Sequence, residues 1–309
     1  MKIEQAKFLV TGGGGFLGRY IISGLEKKGV FRKNIFSPNS TELDLRSFVN
    51  CQKAVDGIDI VIHAAGITGD AEFHQNHPGK IFYDNLIMGT QLLEAARRSG
   101  VKKFVSIGSA TEYPKDAPMP LKEADLWNGL PENIHAPYAM AKKMLLVQEQ
   151  AYRSEFGFHG IHLLLTSMYG PGSKENSGPI PSFIKRISEA KKAGVDSFSI
   201  WGTGAPMRDF LYIEDAAEGI LLAAERYDSP EPVNLGSGDE VSIKTVAGYI
   251  ADIMGFRGRF LFDSSKPDGQ SRRILDITRA RQGFGFSPSI SMEDGLRKTI
   301  KWYNHTISI

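Results

Sequence analysis

"KFLVTGGGGFLG", residues 7–18, runs from a short apolar segment through four consecutive glycines into a helical pattern. Phe8-Leu9-Val10 reads as a buried strand, and the apolar spacing of Phe16-Leu17-Gly18-Arg19-Tyr20-Ile21-Ile22 reads as a helix, with the glycines as the turn between them. Glycines at 12, 15 and 18 suit one task. They permit a tight turn, let the backbone approach a pyrophosphate and let the helix pack close to the strand, while the helix amino terminus presents free N–H groups and a partial positive charge to the anion. Gly12, Gly15, Phe16, Leu17 and Gly18 are therefore candidate contacts to a dinucleotide.

The same alternation recurs downstream. Residues 58–63, 104–107 and 161–165 read as strands, and 84–99 and 138–155 as helices. Short apolar strands alternating with helices predict an α/β fold, a doubly wound parallel Rossmann sheet covered by helices on both faces. From about Tyr169 the rhythm changes, with Gly, Pro and Ser clustered at 170–173 and 177–181. The expected organisation is a dinucleotide-binding domain over residues 1–170, rejoined by 209–236, and a smaller carboxy-terminal α/β substrate lobe built from 171–208 and 237–309.

Composition narrows the partners. Lys and Arg total 37 against 35 acids, a net charge of +2, so no field marks nucleic acid or an anionic membrane as the main partner. No window approaches the roughly 20 apolar residues of a membrane helix, and the first residues lack a signal-peptide core. Cys51 is the only cysteine, which excludes an intramolecular disulfide and a multi-cysteine metal site. The expectation is a soluble cytoplasmic protein without a metal.

The choice of dinucleotide turns on the second strand, read at Asn34-Ile35-Phe36 and followed by Ser37-Pro38-Asn39-Ser40. NAD sites usually carry an acid about 20 residues beyond the glycines to bind the ribose hydroxyls, and none stands at this tip, while Arg19, Arg32 and Lys33 lie nearby. NADP is expected, with NAD left open through Glu42.

Tyr138 and Lys142, in "APYAMAKKM" (136–144), are four apart on a predicted helix and share one face. An ammonium beside a phenol favours the phenolate, so the pair predicts an acidified Tyr138 able to exchange a proton with a carbinol oxygen while a nicotinamide exchanges hydride with its carbon. A bare Tyr/Lys pair is an ordinary solvated helix face. Here it follows Gly108-Ser109-Ala110-Thr111-Glu112-Tyr113, which comes at the end of a predicted strand, where sites form in parallel sheets. The Ser109 hydroxyl can reach the same substrate oxygen.

Glycine turn, serine and Tyr/Lys pair, in that order and spacing, resemble the extended short-chain dehydrogenase/reductases that act on nucleotide sugars, the NAD-dependent epimerase/dehydratase family. The resemblance covers essentially the whole chain. Residues 199–220 ("SIWGTGAPMRDFLYIEDAAEGI"), 233–238 ("VNLGSG") and 262–281 ("FDSSKPDGQSRRILDITRAR") are most similar to its GDP-L-fucose synthase branch.

The resemblance implies that Ser109, Tyr138 and Lys142 carry the redox chemistry, with Thr111 beside them. It implies that Asp44 and Leu45 approach the adenine, and that Ala64, Ala65, Gly66, Ile107, Ser167 and Met168 line the cofactor together with Tyr138 and Lys142. It implies that Arg186, Trp201, Arg208, Lys266 and Asp268 line a nucleotide-sugar pocket, and that the helix after Asn85 and the one carrying Tyr138 form a homodimer interface. Arginine and lysine suit a diphosphate, and tryptophan can cover a sugar or a flat ring.

One departure matters. The fucose-synthase branch places a cysteine and a histidine, its acid and base for two sugar carbons, where this chain has Thr111 and Gly178. A threonine hydroxyl has no accessible ionisation and glycine offers no proton. The expected reaction is therefore reduction of a 4-keto-6-deoxy nucleotide sugar at C4 by NADPH. Two alternatives stand beside it: a nucleotide-sugar 4-epimerase with tightly bound NAD, and a non-catalytic dinucleotide-binding sensor or scaffold. His63, His74, His77 and His135 are candidates for a replacement acid or base.

Overall fold

All four residues of the first strand, β1 (Phe8–Thr11), are buried, as a non-alternating apolar run requires when both faces of a sheet are covered. The computed structural model describes residues 3–175, 177–266 and 268–307. After β1 come α1 (Phe16–Lys27), β2 (Ile35–Phe36), α2 (Phe48–Val55), β3 (Ile60–His63), α3 (Ala71–Asn76), α4 (Pro78–Arg98), β4 (Lys103–Ser109), α5 (Ala136–Phe156) and β5 (Gly160–Leu165). The second half contains β6 (Ser167–Tyr169), α6 (Pro179–Ala193), β7 (Ser197–Trp201), β8 (Met207–Arg208), β9 (Phe210–Tyr212), α7 (Ile213–Arg226) and β10 (Val233–Leu235). It closes with β11 (Val241–Ser242), α8 (Ile243–Met254), β12 (Arg259–Asp263), β13 (Arg272–Arg273), α9 (Thr278–Phe284) and α10 (Met292–Ile307).

Six parallel strands form the main sheet in the order β10-β5-β4-β3-β1-β2, the α/β architecture expected from the alternation. The chain leaves β1 for β2 on one side and crosses back to β3 on the other. Such a reversal opens a crevice at the carboxyl ends of the two central strands, where Thr11 pairs with His63. The Thr11 hydroxyl spans it, 2.9 Å from His63 Nδ1 and accepting the Ala65 N–H at 3.1 Å.

The remaining strands form small sheets: β7 with β12, β6 with β9, and β8 between β11 and β13. One apolar cluster runs from the face under α1 and α7 into α6 and α8, and a second lies between the sheet and α2 and α4. A third, with Ala110, Tyr113, Leu121, Leu146, Leu164, Leu275 and Ile277, glues the segment after β13 to the turn after β4. Fully burying each leucine there contributes about 1.5–3 kcal/mol. The buried Asn234 adds direction, accepting the Tyr113 hydroxyl at 2.8 Å and donating to the carbonyls of Leu121 and Asp276 at 2.9 and 3.0 Å. Among the described residues no helix is long and apolar enough to cross a membrane.

Candidate active site

The glycine turn is shaped to exclude side chains. A Cβ on Gly18 would lie 2.2 Å from the Gly12 carbonyl oxygen, and one on Gly12, where φ is +70°, would lie 2.9 Å from the Ala65 nitrogen. A Cβ on Gly14 would meet nothing within 4 Å, so the outer edge of the turn is open. Gly15 caps α1 without a side-chain hydrogen bond, and no acid occupies the first turn. That leaves the amino-terminal N–H groups and their positive potential directed at the opening, with Phe16 half-buried beside it and Leu17 buried behind. The cradle fits a pyrophosphate.

At the tip of β2, Ser37 packs against Gly13. Glu42 is engaged locally, accepting the Asn39 N–H at 2.8 Å, while Asn39 Oδ1 accepts from Thr41 and Glu42. The neighbouring cations face protein: Arg19 donates to the Gly172 carbonyl at 3.3 Å, Arg32 to that of Ile35 at 2.5 Å, and Lys33 lies over the Phe31 ring. Asp44 forms a forked pair with Arg46, whose hydrogen bonds hold its carboxyl below the usual range, and Leu45 is buried behind it.

Ala64, Ala65 and Gly66 leave β3 at the crevice, and Lys142 reaches them from α5. Its ammonium donates to the Ala65 carbonyl at 3.1 Å, and a Cβ on Gly66 would lie 3.4 Å from its nitrogen. The lysine thus touches the same three-residue segment that Gly12 packs on. Ile107, on β4, is buried alongside, and Ser167 and Met168 are half-buried on β6. Ser109 ends β4, and its Oγ accepts the Thr111 N–H at 3.2 Å and the Thr111 hydroxyl at 3.0 Å. Its own hydrogen remains to donate elsewhere.

The protonation of the pair differs from the expectation. Burial first, then the Glu112 carboxylate, pushes the Tyr138 phenol above its ordinary value. Burial pulls Lys142 down to about 8 against the opposing pull of Glu112. The ammonium stands 6.0 Å from the Tyr138 ring centre and is hydrogen-bonded to Ala65, so the cost of ionising an enclosed phenol outweighs its attraction. Tyr138 is held as a neutral phenol, a proton donor.

Two of the four histidines weighed from sequence come to this site. The His74 ring meets Tyr138 edge-on at 5.8 Å and His135 at 5.1 Å, and its Nδ1 is buried without a partner among the described residues. His135 caps α5, its Nδ1 3.3 Å from Glu132 Oε2. His63 is buried on the Thr11 hydroxyl, and burial and Lys142 keep it neutral. His77 ends α3 against Phe73.

A small cavity adjoins the Ser109 turn, lined by Thr111, Glu132, His135, Gln270 and Arg273 among others. Arg273 was not singled out from the sequence, although it lies within the 262–281 stretch. It sits directly opposite Arg208 in the β13–β8 ladder. Burial lowers both, Arg208 to about 10, and each guanidinium lacks a carboxylate within ion-pair distance among the described residues. Two partly buried cations side by side have the chemistry that suits an anion.

The other expected pocket residues lie on the smaller sheets. Trp201 is 68% exposed, unlike a core tryptophan, with the Lys266 ammonium 5.7 Å from its ring. Asp268 accepts from the Thr203 N–H and hydroxyl at 2.6 and 2.7 Å. Arg186 packs on Phe198 and donates to the Ser199 carbonyl. Gly178, at φ +137°, begins α6 and faces open space.

A family model described as the NAD dependent epimerase/dehydratase family matches residues 8–236, and the chain belongs to that family of enzymes. It is 35% identical to GDP-L-fucose synthase 1 of Arabidopsis thaliana, over 98% of this chain and 94% of that one. Among solved structures it superposes on a GDP-mannoheptose C4 reductase from Campylobacter jejuni with NADP bound, at TM-score 0.89 and 25% identity, covering 98% and 99% of the two chains. A GDP-L-fucose synthetase from Naegleria fowleri bound to NADP gives TM-score 0.85 at 27% identity, covering 99% and 96%.

Proposed function

We propose that this protein reduces the C4 ketone of a GDP-linked 4-keto-6-deoxy sugar with NADPH. The observation that carries the reading is Lys142, on the helix of Tyr138, bonded to Ala65 at the crevice that the glycine cradle opens, with that helix packed on the turn that Ser109 caps. The dinucleotide supplies hydride when bound. The chain supplies the rest: the Ser109 and Tyr138 hydroxyls hold the carbonyl oxygen, Tyr138 gives that oxygen its proton, and Lys142 keeps a positive charge near the developing anion. Arg208 and Arg273 hold the diphosphate, and Trp201 with Lys266 covers the nucleotide or sugar. GDP as the base rests on the similarity to GDP-sugar enzymes.

In this reading residues 1–170 and 209–236 hold the dinucleotide, and residues 171–208 and 237–309 hold the nucleotide sugar. A homodimer forms through α4 and α5, where Phe82 and Val147 are 40% and 42% exposed. The buried lone Cys51 suits the reducing cytoplasm.

One observation favours a second reading, 4-epimerisation with retained NAD. Arg19 and Arg32 donate to backbone carbonyls, which engages both guanidiniums with protein in place of a 2′-phosphate. The test is incubation with NADPH or NADH and a panel of 4-keto-6-deoxy nucleotide sugars. Stoichiometric NADPH oxidation with reduction at C4 supports the reductase. Absence of turnover, with NAD released from the purified protein on denaturation, supports the epimerase.

A further inference from the structure

Beneath the Ser109 turn lies a buried polar cluster that the chemistry above does not use. Glu112 folds back on Ser109, its Oε1 accepting the Ser109 N–H at 2.8 Å, which together with the Ser109 hydroxyl completes a capping box. Its other oxygen lies 3.0 Å from His162 Nε2, and His162 Nδ1 lies 2.6 Å from the Ser106 hydroxyl. Both side chains of the Glu112–His162 pair have zero exposure. The backbone is cut to fit them: a Cβ on Gly108 would lie 2.4 Å from His162 Nε2 and 2.5 Å from Glu112 Oε1.

A buried ion pair adds little net stability, because desolvating both charges offsets their attraction. Its effect here is directional. We infer that Glu112, paired with His162, is a positioning residue that locks Ser109 for its bond to the substrate oxygen and sets the charge felt by Tyr138 and Lys142. The groups facing Glu112 are Tyr138, Lys142, Lys143 and Glu149 on α5, His162 on β5 and Tyr113 on its own turn. With its backbone N–H tied to Glu112 and its Oγ accepting twice from Thr111, Ser109 has one hydrogen left and one direction to give it. The negative charge also opposes the burial that weakens the Lys142 ammonium, while it disfavours a Tyr138 phenolate.

The inference rests on the reductase reading, so the experiment has one arm that needs no sugar. Glu112→Gln keeps an oxygen for the Ser109 N–H and removes the charge. In 15N-imidazole spectra of the ligand-free protein, His162 should hold its second proton to higher pH in the wild type than in Glu112→Gln. A His162 titration that is the same in the two proteins overturns the pair whatever the substrate is. In turnover assays Glu112→Gln should lose about tenfold or more in kcat, with KM for the sugar and NADPH affinity changed less than about twofold. Its alkaline limb should move to lower pH as Lys142 loses a negative neighbour, and adding His162→Gln should cost little more. Unchanged kcat and pH profile, or a kcat loss that only follows a loss of folded protein by thermal melting, would overturn the role. Failure of the wild type to turn over any 4-keto sugar would instead remove the reductase reading, leaving the spectra to decide the pair.

Discussion

Lys142 donates to the carbonyl of Ala65 at 3.1 Å, joining the middle of the Tyr138 helix to the carboxyl end of β3. The Tyr138–Lys142 pair is therefore registered against the crevice through backbone and not through the phenol. Tyr138→Phe should lower ketone reduction by about 10²–10⁴-fold while leaving dinucleotide affinity nearly unchanged, measured by NADPH oxidation and by fluorescence titration. An active Tyr138→Phe protein would place the proton donor elsewhere.

The pH profile follows from the same two groups. Tyr138 is raised and stays protonated through neutrality, whereas Lys142 is pulled down to about 8. Reduction should be level near pH 7 and fall as pH rises through about 8, where the ammonium is lost, and a Lys142→Arg protein that retains activity should lack that fall. A profile rising through pH 8 would contradict a charged Lys142.

Arg273 offers a cation with no carboxylate within ion-pair distance among the described residues, Glu132 acting on it only from farther off. Arg273→Met should raise KM for the nucleotide sugar by about tenfold or more, the worth of roughly 1.5–3 kcal/mol for a charged hydrogen bond, with a much smaller change in kcat. Steady-state kinetics at saturating NADPH reads both. If kcat falls and KM holds, the guanidinium serves the reacting centre and not the diphosphate.

Coenzyme choice should turn on Ser37, which packs against Gly13 at the tip of β2. A carboxylate introduced as Ser37→Asp should repel a 2′-phosphate and weaken NADPH relative to NADH by about tenfold or more. Equal discrimination in the two proteins would move the 2′ site away from this tip.

Heavy water tests Thr111 and Gly178. The product formed in it should carry no deuterium at C3 or C5, since neither side chain can take a proton from carbon. Deuterium at either carbon that disappears in His135→Asn would show that the imidazole lining the Thr111 cavity does so instead.

Glu149 links stability to pH. It is buried, neither carboxyl oxygen within hydrogen-bonding geometry of a partner among the described residues, and burial pushes its carboxyl up to about 7, above the 4.5 of a free side chain, against the weaker opposing pull of His162 and Ser106. A raised acid contributes its full stability below the unfolded value and loses it as pH rises through the folded one, here between about 4.5 and 7, by on the order of 1–3 kcal/mol. Melting temperatures at pH 5 and pH 8 should therefore differ less in Glu149→Gln than in the wild type.

What was readable in the residues was local. The spacing of Gly12, Gly15 and Gly18 between an apolar strand and a helix specifies the turn, and a period of 3.6 puts Tyr138 and Lys142 on one face, because both depend only on near neighbours along the chain. The S-x-x-E of Ser109 to Glu112 was equally local and marks a capping box, yet its second partner is His162, fifty positions away in sequence and unremarkable in an apolar strand. The tertiary structure alone decided that the Tyr138 phenol is neutral, that Lys142 bonds Ala65, and that Arg208 and Arg273 lie opposite each other in a ladder. Sequence spacing says which side chains share a face, whereas protonation and charge pairing depend on how much water the folded chain removes and which distant groups it brings within a few ångströms.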